Sequence, residues 1–234
     1  MIFIDNILNP TVFLGDFEWR EPVTTLTDFL VALVCWFAVY SFVKAPKNQR
    51  VRPYHTIFIF YFLSFAIGMT SAAWFGHGLQ AYVSPRFKII GWCFGATGLM
   101  LLQQGSFYLV EGCVQRAWMR SAIRAAFVVQ WFTFLVLAIH PSTSQFMVAQ
   151  INSTLAIIGT ILPMHLINYR TNNDARSRLV LGAIAFSLIP GVVYSQQLSF
   201  GRWCNYHDIS HILMATFMFF MFRALKTFGW VDAN

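Results

Sequence analysis

The sequence predicts an all-α membrane protein of seven transmembrane helices, with the N-terminus outside and the C-terminus in the cytoplasm. Composition supports this first. The 234 residues are 57% hydrophobic and only 11% charged, with 25 phenylalanines, too apolar for a soluble domain. The mean hydropathy is +0.58. The second observation is that the apolar residues gather into stretches at about 24–43, 55–79, 87–110, 121–139, 146–167, 178–198 and 207–226. Each is close to the roughly 20 residues a helix needs to cross the hydrocarbon core. The third is the placement of positive charge between them.

Taken in order, the first stretch follows an acidic segment (Asp5, Asp16, Glu18, Glu21) that holds one base, Arg20. It ends at a basic connection of Lys44, Lys47, Arg50 and Arg52. The second closes on Thr70-Ser-Ala-Ala-Trp-Phe-Gly-His77, and the third opens beside Arg86 and Lys88. Arg116, Arg120 and Arg124 surround the next connection, whereas 140–145 contains no base. The fifth stretch holds Pro163 and is followed by Arg170, Arg176 and Arg178. The sixth holds Pro190-Gly191 and leads to a loop with Arg202 alone. Both prolines are expected to bend their helices, since each removes a backbone donor. The seventh ends with Arg223 and Lys226. The positive-inside rule then sets the orientation.

The net charge of +7 reads as the basic cytoplasmic rim of an integral membrane protein, a plasma- or inner-membrane protein if bacterial. It calls for membrane lipids as partners and for no nucleic acid. No fixed period, low-complexity segment or long linker divides the chain, so 1–234 is expected to form one domain, with 1–23 an extracytoplasmic N-terminal segment. The first 20 residues lack a basic n-region, an apolar h-region and a cleavage site, so no removable signal peptide is expected.

Depth in the membrane sorts the polar residues. His207 and His211 open the seventh stretch, and their i,i+4 spacing puts two imidazoles on one helix face. His77 closes the second stretch and Asp28 lies early in the first, at the same outer level. His55 and His165 fall at the cytoplasmic ends, about 30 Å away, and His140 lies in a loop beside Pro141. Three histidines at one depth are a candidate zinc site with an open position for water. Asp28 and Asp208 are the candidate catalytic carboxylates. For Asp208, about 100° around the helix from His207, the simpler role is an acid favoured by the helix dipole. For Asp28 the alternative is a structural hydrogen bond to Thr24, Thr25 or a neighbouring helix. Of the four cysteines, Cys204 is the only one clearly on the oxidising side, and Cys93 is its nearest conceivable disulfide partner.

Ala73-Trp-Phe-Gly-His77 and His207-Asp-Ile-Ser-His211 in a seven-helix chain, with Glu21 and Asp28 early in the first helix, resemble the CREST superfamily. That group includes the alkaline ceramidases and the progestin and adipoQ receptors. The resemblance implies Zn2+ on His77, His207 and His211 and hydrolysis of a lipid amide or ester at the outer leaflet, as in the ceramidase branch. It also invites comparison of the Asp16–Glu21 run with the ceramidases' Ca2+ site; the spacing differs, and a solvated acidic segment is the simpler reading. This chain departs from the family at two points. Ala73 stands where the family has serine, and no acid lies near the start of the third helix, where Ser84, Arg86, Lys88 and Trp92 stand instead. Two alternatives remain: a non-catalytic receptor or structural subunit with a structural metal or none, and a haem-binding electron carrier.

Overall fold

A computed structural model describes residues 10–51 and 53–229. Asp5 and Arg52, used above in the charge argument, lie outside them. A short antiparallel hairpin, β1 (Thr11–Leu14) and β2 (Phe17–Arg20), comes first and turns at Gly15. Helix α1 spans Pro22–Lys44. Helix α2 runs from Tyr54 to Ser71 and continues as π-helix through Ala72–Gly78. Helices α3 (Lys88–Val110) and α4 (Ala117–Ile139) follow. Helix α5 spans Phe146–Asn172 with a π-helical stretch at Leu155–Ile161, and α6 (Ala175–Ser195) and α7 (Tyr206–Gly229) complete the bundle.

Six of these seven helices are long and apolar enough to cross a membrane: α1, α2, α4, α5, α6 and α7. The exception is α3, equally long but diluted by Gln103, Gln104 and four glycines. Its polar groups are spent inside the bundle. Gln103 donates to Gln130 on α4 (3.0 Å) and to Thr160 on α5 (2.9 Å), and Gln130 in turn donates to Asn152 (3.0 Å). Elsewhere the bundle turns bulky apolar side chains outward, with Leu33, Val129 and Phe132 all more than 60% exposed. Water penalises such a surface and lipid does not. These features are those of a multi-pass membrane protein.

Helix α1 packs against α2 and α7, α2 against α3, and α6 against α7. Between α1, α2 and α7 lies an aromatic and methionine core around Phe42, Tyr61, Phe62, Met218 and Met221, all fully buried. Gly91, Gly98 and Gly105 recur every seven residues on α3 and face α2. A Cβ at Gly91 would stand 3.1 Å from the Gly68 carbonyl oxygen, and one at Gly98 2.6 Å from the Phe65 ring. Small residues let the two backbones close together, the usual basis of helix pairing in lipid.

Each π-helical stretch has a local context. Pro163 follows the one in α5; it offers no N–H to the carbonyl four residues back, and its ring pushes that carbonyl away. The one in α2 ends in Gly76-His77-Gly78, with Gly78 wedged against Ala73 O, Thr25 Oγ1 and Trp19 Nε1, each 3.3 Å from a Cβ placed there. Through this stretch the backbone bonds run i to i+5 and the 3.6-residue spacing no longer holds.

At the opposite end of the bundle the C-terminus of α7 is tied back, Val51 N donating to Gly229 O (2.9 Å). There His165 is buried between the hydroxyls of Ser106 and Ser177, 3.2 Å from each. His55 is buried at that end too. Both are a bundle length from His77, as the depth argument requires. All four cysteines are free.

Two predictions test this packing. Gly91→Val should cost roughly 1–3 kcal/mol, the usual penalty of overpacking, seen as a lower unfolding temperature in detergent. Asp174, between α5 and α6, is the second case. Burial raises its carboxyl, but hydrogen bonds from Arg176 and Asn168 outweigh that and hold it below 3.8. A depressed carboxylate contributes stability above its unfolded value that is lost as pH falls through the folded one. Asp174→Asn should therefore be less stable than the parent at pH 7, with the gap closing below about pH 3.8.

Candidate functional site

The hairpin end of the bundle gathers the start of α1, the π-helical end of α2 and the start of α7. Their side chains form two polar clusters whose members are mostly buried.

The first cluster ties α7 to α1. Asn205 Oδ1 accepts from His207 N (2.8 Å), and Asp208 Oδ2 accepts from Asn205 N (2.8 Å). This reciprocal pair is a capping box, satisfying amide donors that the first helical turn leaves free. Asp208 Oδ1 accepts from Thr24 on α1 at 2.6 Å. Both oxygens of this 1% exposed carboxylate thus have structural partners. Asp208, a catalytic candidate by sequence, is bonded here as an anchor between α7 and α1. The signal was present in Asn205-Tyr-His-Asp208, which has the spacing of a capping box.

The second cluster contains Asp28, His77, His211 and Glu21. His211 Nδ1 stands 3.0 Å from Asp28 Oδ1, and His77 Nε2 stands 3.6 Å from Asp28 Oδ2. The two imidazole rings meet edge to face with centroids 6.2 Å apart. His77 Nδ1 pairs with Glu21 Oε2 on its other side. Thr27 Oγ1 lies 3.4 Å from His211 Nδ1. His207, one turn before His211, lies between Tyr206 and Tyr194, with ring centroids 4.2 and 5.4 Å away.

Asp28 is the unusual member. It is 1% exposed, and neither carboxylate oxygen has a hydrogen-bond partner. The threonines expected to satisfy it are committed elsewhere. Thr24 donates to Asp208, and Thr25 donates to Glu21 O (3.0 Å). Both oxygens thus face imidazole nitrogens without a hydrogen bond, and a buried carboxylate is costly unless a donor or a positive charge meets it. The donor types and spacing suit a metal: two ligand atoms at about 2.0–2.1 Å from one zinc ion stand about 3.3 Å apart at a tetrahedral angle. The pairwise distances bracket that value. Among the described residues, however, no group of three or more His, Cys, Asp or Glu side chains is arranged to hold an ion. Side-chain rotation is needed to complete a coordination sphere.

Glu21 was noticed in the sequence but not assigned to the site. It occupies the N-cap of α1 in a left-handed conformation (φ 44°, ψ 54°) without capping the helix through its side chain. Such a backbone costs about 1–2 kcal/mol in a residue with a Cβ. Burial pushes the Glu21 carboxyl up, but the hydrogen bond and charge of His77, with Lys88 and His207 beyond, hold it below its ordinary value. The acidic run before it is divided between separate partners. Glu18 pairs with Arg20 (2.7 Å), and Asp16 lies exposed at the hairpin turn.

The chain matches, over residues 23–229, the model of a family of unknown function, DUF6962. It belongs to that family. The matched region takes in all seven helices, from the second residue of α1 to the last of α7, and so includes Asp28, His77, His207 and His211. No curated protein matches the chain.

The two clusters make opposite predictions for two aspartates. Asp208→Ala removes a cap and an interhelical bond and should destabilise the protein by about 1–3 kcal/mol. Asp28→Asn removes an uncompensated buried charge and should raise the unfolding temperature of metal-free protein in detergent.

Proposed function

We propose that the protein is an integral membrane, zinc-dependent hydrolase acting on a lipid amide or ester, with its site at the outer leaflet. The observation that carries this reading is the buried Asp28 carboxylate, which makes no hydrogen bond and faces one nitrogen each of His77 and His211. The orientation rests on charge: Lys44, Lys47, Arg50, Arg170, Arg176 and Arg223 lie at or beyond the helix ends opposite the site, and the positive-inside rule puts that end in the cytoplasm.

In this reading His77, His207 and His211 hold the metal, and zinc supplies the Lewis acidity that activates water and polarises a carbonyl. Asp28 orients the attacking water, one of its free oxygens accepting the water's proton as the bond to the carbonyl carbon forms. A shallow, mainly apolar recess lined by Asp16, Phe17, Leu79 and Tyr82 opens beside the π-helical turn, and Leu26, Leu30 and Trp74 are exposed on the same helices. These surfaces suit a substrate with an acyl chain entering from the bilayer.

A second reading, a non-catalytic subunit or receptor, is favoured by the clasp of His77 between Glu21 and Asp28. That clasp can join α1 to α2 without a metal. The haem reading has less support, since Asp28 fills the space between His77 and His211 where a porphyrin would lie.

Elemental analysis of detergent-purified protein tests the reading first. About one zinc per chain is expected, lost in His211→Ala; a folded preparation that takes up no zinc overturns it. A panel of ceramides, acylglycerols and lysolipids should then show turnover that His77→Ala and Asp28→Ala each abolish. Stoichiometric zinc without turnover across the panel favours the non-catalytic reading.

A further inference from the structure

Glu21 has a poor reason to be where it is. Its backbone is left-handed, a conformation that glycine adopts at no cost, and glutamate is not among the preferred N-cap residues. Its main chain is pinned all the same. Glu21 N donates to Pro10 O (2.9 Å), and Glu21 O accepts from Thr25 N (2.9 Å) and Thr25 Oγ1 (3.0 Å). These contacts hold the residue in its strained form and turn the side chain inward, where it is 7% exposed. The carboxylate meets His77 Nδ1 and also accepts from Gln80 Nε2 at 3.3 Å. Gln80 donates as well to Gly76 O, which steadies the π-helical turn carrying His77.

The opposite ring nitrogen, His77 Nε2, faces Asp28. An imidazole whose Nδ1–H is given to a carboxylate keeps its lone pair on Nε2, and such a second partner fixes the tautomer and ring orientation of a metal-binding histidine. We infer that Glu21 is the positioning residue of the site, holding His77 as the Nδ1–H tautomer with its Nε2 lone pair turned toward Asp28 and His211. This rests on the reading of His77 as a metal ligand, and it explains why a strained glutamate stands at the N-cap.

Two measurements test it. In metal-free protein with ring-15N histidine at fixed pH 8, the His77 signal, assigned by its loss in His77→Gln, should show protonated Nδ1 and bare Nε2. In Glu21→Gly that signal should shift toward the Nε2–H form. A wild-type ring that is Nε2–H or doubly protonated overturns the inference. Zinc affinity, read by competition with a chromophoric chelator, should fall about 10- to 100-fold in both Glu21→Gln and Glu21→Gly. The unfolding temperature of metal-free Glu21→Gly should hold or rise, because glycine relieves the backbone. A purely structural ion pair predicts lost stability and unchanged affinity, which would sink the proposal. If the wild-type chain takes up no zinc, the metal reading fails by itself, and the tautomer still decides the role of Glu21.

Discussion

The hairpin end of this bundle depends on burying carboxylates where water cannot reach them. Asp28 and Asp208 lie within the first two turns of α1 and α7, each 1% exposed, and a desolvated charge must be met by protein or ligand. The chain meets the two differently. Asp208 is fully satisfied by Thr24 and by the amide of Asn205, which fixes how α7 enters the bundle beside α1. Asp28 is left without a hydrogen-bond partner between two imidazoles. The anchored aspartate sets the frame within which the free one is held.

The rest of the architecture serves that junction. Gly68 and Gly91 bring α2 and α3 together, and the π-helical turn at the end of α2 swings His77 toward α1. Glu21 completes the arrangement from the other side. It gives up an ordinary N-cap and accepts a strained backbone to reach His77. A left-handed residue at Glu21 and the π-helical turn carrying His77 thus meet at this end. At the opposite end His165 is buried between two serines with ordinary hydrogen bonds. Its burial is equal to that of Asp28, but its polar needs are met.

Depth was legible in the sequence because it follows from helix length alone. A residue's distance from the end of an apolar stretch sets its level, so His77, His207, His211 and Asp28 could be grouped, and His55 and His165 set apart. The capping box at Asn205 and Asp208 was equally local and could have been recognised from its spacing. The partners of Asp28 could not. Thr24 and Thr25 were its natural local partners, yet one turns to α7 and the other to the backbone of Glu21. Which neighbour a hydroxyl faces is decided by helix rotation and crossing, which periodicity does not encode.

By itself, then, the sequence determined a helical membrane chain, its helix limits to within a few residues and the level of each polar group. Hydrophobic thickness and the cost of burying charge act on composition and position along the chain. The tertiary structure decided what those groups do to one another. The hairpin that begins the described chain, the π-helical offset of His77, the anchoring of Asp208, the isolation of Asp28 and the reach of Glu21 all depend on contacts between segments far apart in sequence. Such contacts are selected by packing shape and by competition for the same hydrogen-bond donors, which exist only once the helices are assembled.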